Sequence, residues 1–254
     1  MIDIHTHILP GVDDGAQTVS DSLEMARLAV EEGISKLVAS PHHYTLRFYN
    51  PKEEIVSKVE RLNNELKKAG IPLEVLVGQE VRLIGDFVKE YESDQIVTIN
   101  DGIYVLVEFP ANHVPRYAEQ LFYDIQMAGL IPIIVHPERN SQIVEQPDKL
   151  YHLIEKGALS QVTAASIAGY FGKRIQRFSL QLIEANLTHV IASDAHNTTN
   201  RSFKMNEAFL TIEKEFGIEA VYMFKENAEL IISGGMVYRE HPQKIKRRKL
   251  LGLF

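Results

Sequence analysis

Short apolar runs alternate along this chain with longer segments whose apolar residues recur every three or four positions, the pattern of repeated strand–helix units. The runs Ile2–Ile4, Lys36–Ala39, Glu74–Val77, Tyr104–Val107, Ile131–Val135, Gln161–Ala164 and His189–Ala192 predict seven strands. They are rich in Val and Ile and lack strict apolar–polar alternation, as parallel strands buried on both faces do. The helices between them are well marked. Ile55, Val59, Leu62 and Leu66 form one stripe, with Asn50 as the expected N-cap, Pro51 as the first helical residue, Glu53 closing a capping box, and Gly70 with Pro72 as the stop. Similar helices are expected after Thr18, Pro115 and Pro147, ending near Gly33, Gly129 and Gly157, and through Ile175–Ala185 and Asn206–Phe216.

Seven such units without a linker, low-complexity stretch or break in composition predict an α/β fold in a single domain over residues 1–240, followed by a basic tail at 241–254. The expected architecture is a closed or nearly closed seven-stranded (β/α) barrel. A doubly wound open sheet is the alternative, weakened because no glycine-rich phosphate loop follows the first strand.

Composition narrows the chemistry. The 254 residues are 45% hydrophobic and 24% charged, ordinary for a soluble globular protein, and the net charge of −7 gives no general attraction for nucleic acid. There is no cysteine, which excludes disulfides, thiolate metal sites and any cysteine nucleophile. The amino terminus has no basic leader region, and no apolar run reaches the roughly 18 residues that span a bilayer, so a cytoplasmic location is expected.

The location of the polar residues carries the functional information. The first strand leads into His5 and His7, the second into Pro41-His42, the third into Gln79-Glu80 and the fourth into Glu108. The fifth leads into His136-Pro137-Glu138-Arg139 and the seventh into Asp194-Ala195-His196, while Asp14 lies in the Gly11–Gly15 loop after the first strand. In a β/α barrel the carboxyl ends of the strands ring one mouth, so these side chains are expected to converge. A His-x-His pair puts both rings on one strand face, but alone it is a weak signal, as is a single Glu after an apolar run. Together they decide the matter, because burying so many imidazoles and carboxylates without cations is strongly disfavoured. A His-plus-carboxylate donor set without sulfur suits Mn, Fe, Zn or Mg. The number of donors exceeds what one ion takes, so two or three divalent ions are expected, with Glu80 as a bridge. His189 starts its strand and falls at the opposite end, His152 lies in a helix and His241 in the tail; His43 and His113 are near the mouth without an assigned role.

These motifs in this order resemble the polymerase-and-histidinol-phosphatase (PHP) superfamily, and more closely its bacterial manganese-dependent tyrosine-protein phosphatase branch, which is associated with capsule and exopolysaccharide synthesis. The opening Asp3-Ile-His-Thr-His-Ile-Leu-Pro-Gly-Val-Asp-Asp-Gly15 is similar to that branch's signature, and the resemblance runs over about residues 1–240. It implies a distorted seven-stranded barrel and a trinuclear, commonly manganese, cluster. Carried over, His5, His7, Glu80 and Asp194 hold one ion, Glu80, Glu108 and His136 a second, and Asp14, His42 and His196 a third, while Arg139 and Arg201 grip the phosphate. The implied activity is hydrolysis of phosphotyrosine by a metal-bound hydroxide, with an autophosphorylating bacterial tyrosine kinase and its substrates as partners.

The chemistry agrees with aryl esters: a phenolic leaving group, with a pKa near 10, needs less help from a general acid than an alkyl alkoxide. A small-molecule phosphomonoesterase such as histidinol-phosphatase is the alternative. An amidohydrolase lacks its bridging lysine here, and a non-catalytic metal-binding module is at odds with a complete ligand set and two arginines. Tyr44, Arg47, Phe48 and Tyr49 follow a ligand strand and are candidates to flank a phosphotyrosine ring. Lys244, Lys246, Arg247, Arg248 and Lys249 precede Leu250, Leu251, Leu253 and Phe254, a composition suited to peripheral contact with an anionic membrane. The sixth strand offers no evident ligand.

Overall fold

The computed structural model describes residues 1–245; the predicted basic tail from residue 246 onward lies outside the described residues. Among the described residues nine strands form: β1 Ile2–Thr6, β2 Lys36–Ala39, β3 His42–His43, β4 Glu74–Val77, β5 Glu80–Arg82, β6 Tyr104–Glu108, β7 Ile131–Val135, β8 Leu159–Thr163 and β9 Val190–Ala192. Every pairing is parallel. They make a three-stranded sheet, β1-β2-β4, and a six-stranded sheet, β3-β5-β6-β7-β8-β9. A bridge from Thr6 to Ala195 ties the end of β1 to the segment after β9.

The count differs from the seven strands expected, for a local reason. Pro41 has no N–H to give a neighbour and separates β2 from β3. Gly78 separates β4 from β5, where a Cβ would stand 2.3 Å from Val38 Cγ1, so the close crossing requires glycine. Both interruptions fall just before a candidate ligand.

Alternation along the strands sorts the core into two clusters. Val38, Leu76, Leu106, Ile133, Val190 and Ala192 pack among themselves, whereas Leu37, Val75, Val105, Val107, Ile134 and Ile191 pack against the helices. Following the first set two residues at a time leads from Val38 to His42, from Leu76 to Glu80, from Leu106 to Glu108 and from Ala192 to Asp194. The face that is apolar in the middle thus becomes polar at its carboxyl end. In β1 a register irregularity between Asp3 and Thr6 breaks the alternation beside His5. Register also fixes neighbours, because His42 is paired with Glu80 and Arg82 with Glu108.

Helices cover the outer faces close to where the periodicity predicts them. Thr18 caps Val19–Glu31 through a capping box with Asp21. The expected cap at Asn50 is corrected: the next helix starts at Lys52 behind Pro51, without a side-chain cap. Asn50 instead donates from Nδ2 to the carbonyls of Val12 (3.1 Å) and His42 (2.8 Å), stitching two loops of the rim. Helix Ile218–Ser233, which was not anticipated, begins one residue after helix Met205–Phe216 ends. It supports the amino ends of the strands, with Asn227 Nδ2 donating to the His189 carbonyl at 2.8 Å. No helix among the described residues is long and apolar enough to cross a membrane.

Candidate metal centre

The predicted donors His5, His7, Asp14, His42, Glu80, Glu108, His136, Asp194 and His196 form one continuous constellation. Glu80 Oε2 lies 3.5 Å from His5 Nε2, 3.3 Å from His7 Nε2 and 2.8 Å from His42 Nδ1, while its Oε1 lies 2.8 Å from His136 Nε2. Asp194 Oδ1 stands 3.6 Å from His5 Nε2 and 3.3 Å from His7 Nε2. Asp14 Oδ1 is 3.4 Å from both His42 Nε2 and His196 Nε2. Glu108 Oε2 is 3.9 Å from His42 Nδ1. Three groups have donor atoms close enough to share an ion: His7, Asp14, His42 and His196; His5, His7 and Glu80; and His42, Glu80 and Glu108.

The electrostatics match a cation-binding pocket. Burial alone would raise the Asp194 carboxyl, but Arg139 and the rings of His7, His5 and His196 hold it well below the usual range. Burial, then the neighbouring Glu80 charge, push Glu108 up to about 7 against the pull of Arg82. Burial, with Arg139, brings His136 down to about 4. Glu80 Oε2, Glu108 Oε2, His42 Nδ1 and His196 Nε2 are buried without a hydrogen-bond partner of acceptable geometry. Unpaired carboxylate oxygens and ring nitrogens facing one another are costly, and a divalent ion between them satisfies both. The residues therefore fit the metal that the donor set implies. His136 and Asp194 both adopt left-handed backbone, at φ 37° and 53°, a conformation that His and Asp tolerate better than most residues.

Arg139 and Arg201 converge on one carboxylate oxygen. Arg139 Nη2 is 2.5 Å and Arg201 Nη2 3.3 Å from Asp194 Oδ2, and Arg201 Nη1 is 3.4 Å from Asp14 Oδ2. Beside them is a cavity of about 260 Å³ lined by His42, Glu108, His136, Arg139, Asp194 and Arg201, among others. Phe171 lies against the Arg139 guanidinium, 5.5 Å from ring centroid to Cζ.

Several contributors have no signal of their own in the sequence. Gln161, on the sixth predicted strand, brings Oε1 to 3.0 Å from His5 Nδ1. Glu138 is buried; its Oε1 accepts from Thr163 N (3.1 Å) and Ser166 Oγ (2.6 Å), fixing the Pro137–Arg139 turn to β8. Arg82 Nη2 forms an ion pair with Glu108 Oε2 at 2.9 Å, and its Nη1 donates to the Phe109 carbonyl at 3.2 Å. His-x-His raises the expectation of an acceptor behind each ring, but the identity of that acceptor depends on the fold.

In the aromatic loop, Tyr44 donates to Glu90 and Tyr49 to Gln95, so both hydroxyls are tied to the scaffold. Phe48 alone stacks on a candidate ligand, parallel to the His42 ring within 9° at 5.9 Å. His43 is buried and its Nδ1 accepts from Asn50 N, while His113 is exposed and outside the constellation.

The chain is similar over its length to several known proteins. The family described as "Capsular polysaccharide synthesis, CpsB/CapC" matches residues 1–233. Tyrosine-protein phosphatase YwqE of Bacillus subtilis is 53% identical over 254 residues, the whole of both chains. The putative tyrosine-protein phosphatase CapC of Staphylococcus aureus is 41% identical over 256 residues, again covering both chains entirely. A crystal structure from work on B. subtilis YwqE and Streptococcus pneumoniae CpsB, described as unique metal-dependent tyrosine phosphatases, superposes with a TM-score of 0.96 at 52% identity, covering 97% of this chain and 100% of the other.

Proposed function

The chain belongs to the CpsB/CapC capsular polysaccharide synthesis family, and on that premise we propose that it is a metal-dependent tyrosine-protein phosphatase. The observation that carries this reading is the rim itself. Three overlapping His–carboxylate groups stand beside two guanidinium groups, in a chain similar over its full length to named tyrosine phosphatases.

We assign His5, His7, Glu80 and Asp194 to one ion, Glu80, Glu108 and His136 to a second, and Asp14, His42 and His196 to a third. Supporting Glu80 as a bridge, one of its oxygens is turned to His136 and the other to His5, His7 and His42. Manganese is the ion we propose. When bound, divalent ions make water a nucleophile near neutral pH and neutralise phosphate charge. Arg139 and Arg201 bind the phosphate: both guanidinium groups reach Asp194 Oδ2 at one edge of the cavity, where an anion's oxygens would take hydrogen bonds from each. With a phenolate as leaving group, the ester bond breaks without a strong proton donor.

We read β2 with β3, and β4 with β5, each as one interrupted strand. That makes seven parallel tracks, and the Thr6–Ala195 bridge supports their closure into a distorted barrel. The catalytic unit is residues 1–240, and 241–254 is a basic tail suited to peripheral contact with an anionic membrane. The proposed partners are an autophosphorylating bacterial tyrosine kinase and its phosphotyrosine substrates, in the cytoplasm.

The test measures hydrolysis of a phosphotyrosine peptide and of histidinol phosphate after exhaustive chelation and again with added manganese. We expect no turnover after chelation, recovery with manganese, and a higher kcat/KM for the peptide. Turnover that survives chelation overturns the metal reading, and a preference for histidinol phosphate overturns the substrate.

A further inference from the structure

The opening loop carries two adjacent acids, Asp13 and Asp14, and the fold uses them differently. Asp14 is half exposed and faces His42 and His196, whereas the Asp13 side chain is fully buried. Asp13 Oδ2 lies 2.7 Å from His7 Nδ1 and accepts from the His42 backbone N–H at 3.1 Å, and its Oδ1 accepts from Gly15 N at 2.9 Å. An ionised carboxylate only accepts, so His7 carries its proton on Nδ1. Nε2 is thereby left as the donor atom, 3.3 Å from Glu80 Oε2 and 3.3 Å from Asp194 Oδ1. One oxygen of Asp13 thus touches two candidate ligands from different strands. The loop lies directly against His7, since a Cβ at Gly15 would stand 2.0 Å from the His7 carbonyl oxygen.

We propose that Asp13 is a positioning residue that locks the tautomer of His7 and the backbone of His42 together, so that the ion sites served by these two histidines form as one unit. The inference rests on the metal reading above. The contrast with His5 sharpens it: the partner of His5 Nδ1 is Gln161, a neutral amide that fixes a single ring. Carboxylate partners behind ligating imidazoles typically matter 10–100-fold in metal affinity.

The test titrates metal-free protein with Mn²⁺ alone by calorimetry, for the parent and for Asp13→Asn. Asparagine keeps the shape, but its one acceptor oxygen cannot replace all three contacts. We expect Asp13→Asn to bind manganese about 10–100-fold more weakly, with the affected ions lost together and not one at a time. Affinity within threefold of the parent overturns the proposal while leaving the metal reading intact. A parent that takes up no manganese overturns both. Should Asp13→Asn fail to fold, nitrogen-15 NMR of the parent decides the matter: a His7 ring protonated on Nδ1, identified by the loss of its signal in His7→Gln, is expected, and a ring protonated on Nε2 alone overturns the proposal.

Discussion

Histidine is buried at both ends of the strands, and the two ends treat it in opposite ways. At the carboxyl ends, His5, His7, His42, His136 and His196 face carboxylates, and buried oxygens and ring nitrogens are left without hydrogen-bond partners. At the amino ends, His189 Nδ1 accepts from Ser160 N at 3.2 Å, its N donates to the Ser160 carbonyl, and its own carbonyl accepts from Asn227. Burial first, then the charge of Arg239, bring His189 down to about 3, so the ring stays neutral. In the proposed reading, one residue type serves as a donor of lone pairs at the rim and as a packed, neutral group at the floor. What separates the roles is the company of carboxylates, not burial.

The largest effect expected from this contrast is at the rim. Glu80→Gln removes the charge shared by four imidazoles but little volume. We expect its turnover of a phosphotyrosine peptide to fall at least about 10³-fold, on the order of 4 kcal/mol, with manganese uptake reduced and the circular dichroism spectrum unchanged. A variant that keeps parental turnover would make the rim, like the floor, merely structural.

The chain order of the rim residues is legible in the sequence because each sits where an apolar run ends, and parallel strands bring all those ends together. The groups behind them are not legible. Asp13 and Asp14 look alike until the loop folds onto His7, and Gln161 matters only because register brings β8 near His5. Arg82 acquires meaning from its pairing with Glu108, a residue 26 positions away. The breaks at Pro41 and Gly78 are visible as residue types, yet nothing local says that pairing resumes beyond them. Helix Ile218–Ser233 was missed because only Gly217 separates it from the preceding helix.

A smaller effect is expected at the floor, in stability and not in catalysis. His189 has a depressed folded-state pKa, about 3, against an ordinary value of 6.5 in the unfolded chain. Between those values the unfolded state binds the extra proton, so this residue's contribution is complete above about pH 6.5 and is lost as pH falls toward 3. The slope approaches about 1.4 kcal/mol per pH unit. His189→Gln should therefore be less stable than the parent at pH 7, by about 1–3 kcal/mol, with the gap narrowing through pH 6 and 5 in urea denaturation. Its kcat at pH 7 should match the parent's. A gap independent of pH would mean that the ring is not held neutral.

The smallest expected effect returns to the rim and asks how far its functional character extends. Phe48 is the one loop ring that stacks on a candidate ligand, and the tyrosines beside it are held by Glu90 and Gln95. If it flanks the phosphotyrosine ring, Phe48→Ala should raise KM for a phosphotyrosine peptide about 3–10-fold, the roughly 1 kcal/mol that one aromatic contact contributes. Hydrolysis of a ring-free ester such as glycerol phosphate should stay at the parental rate. Equal losses on both substrates would show that Phe48 acts by bracing His42. An unchanged KM on the peptide would remove this ring from the functional rim and leave it, like His189, a matter of packing.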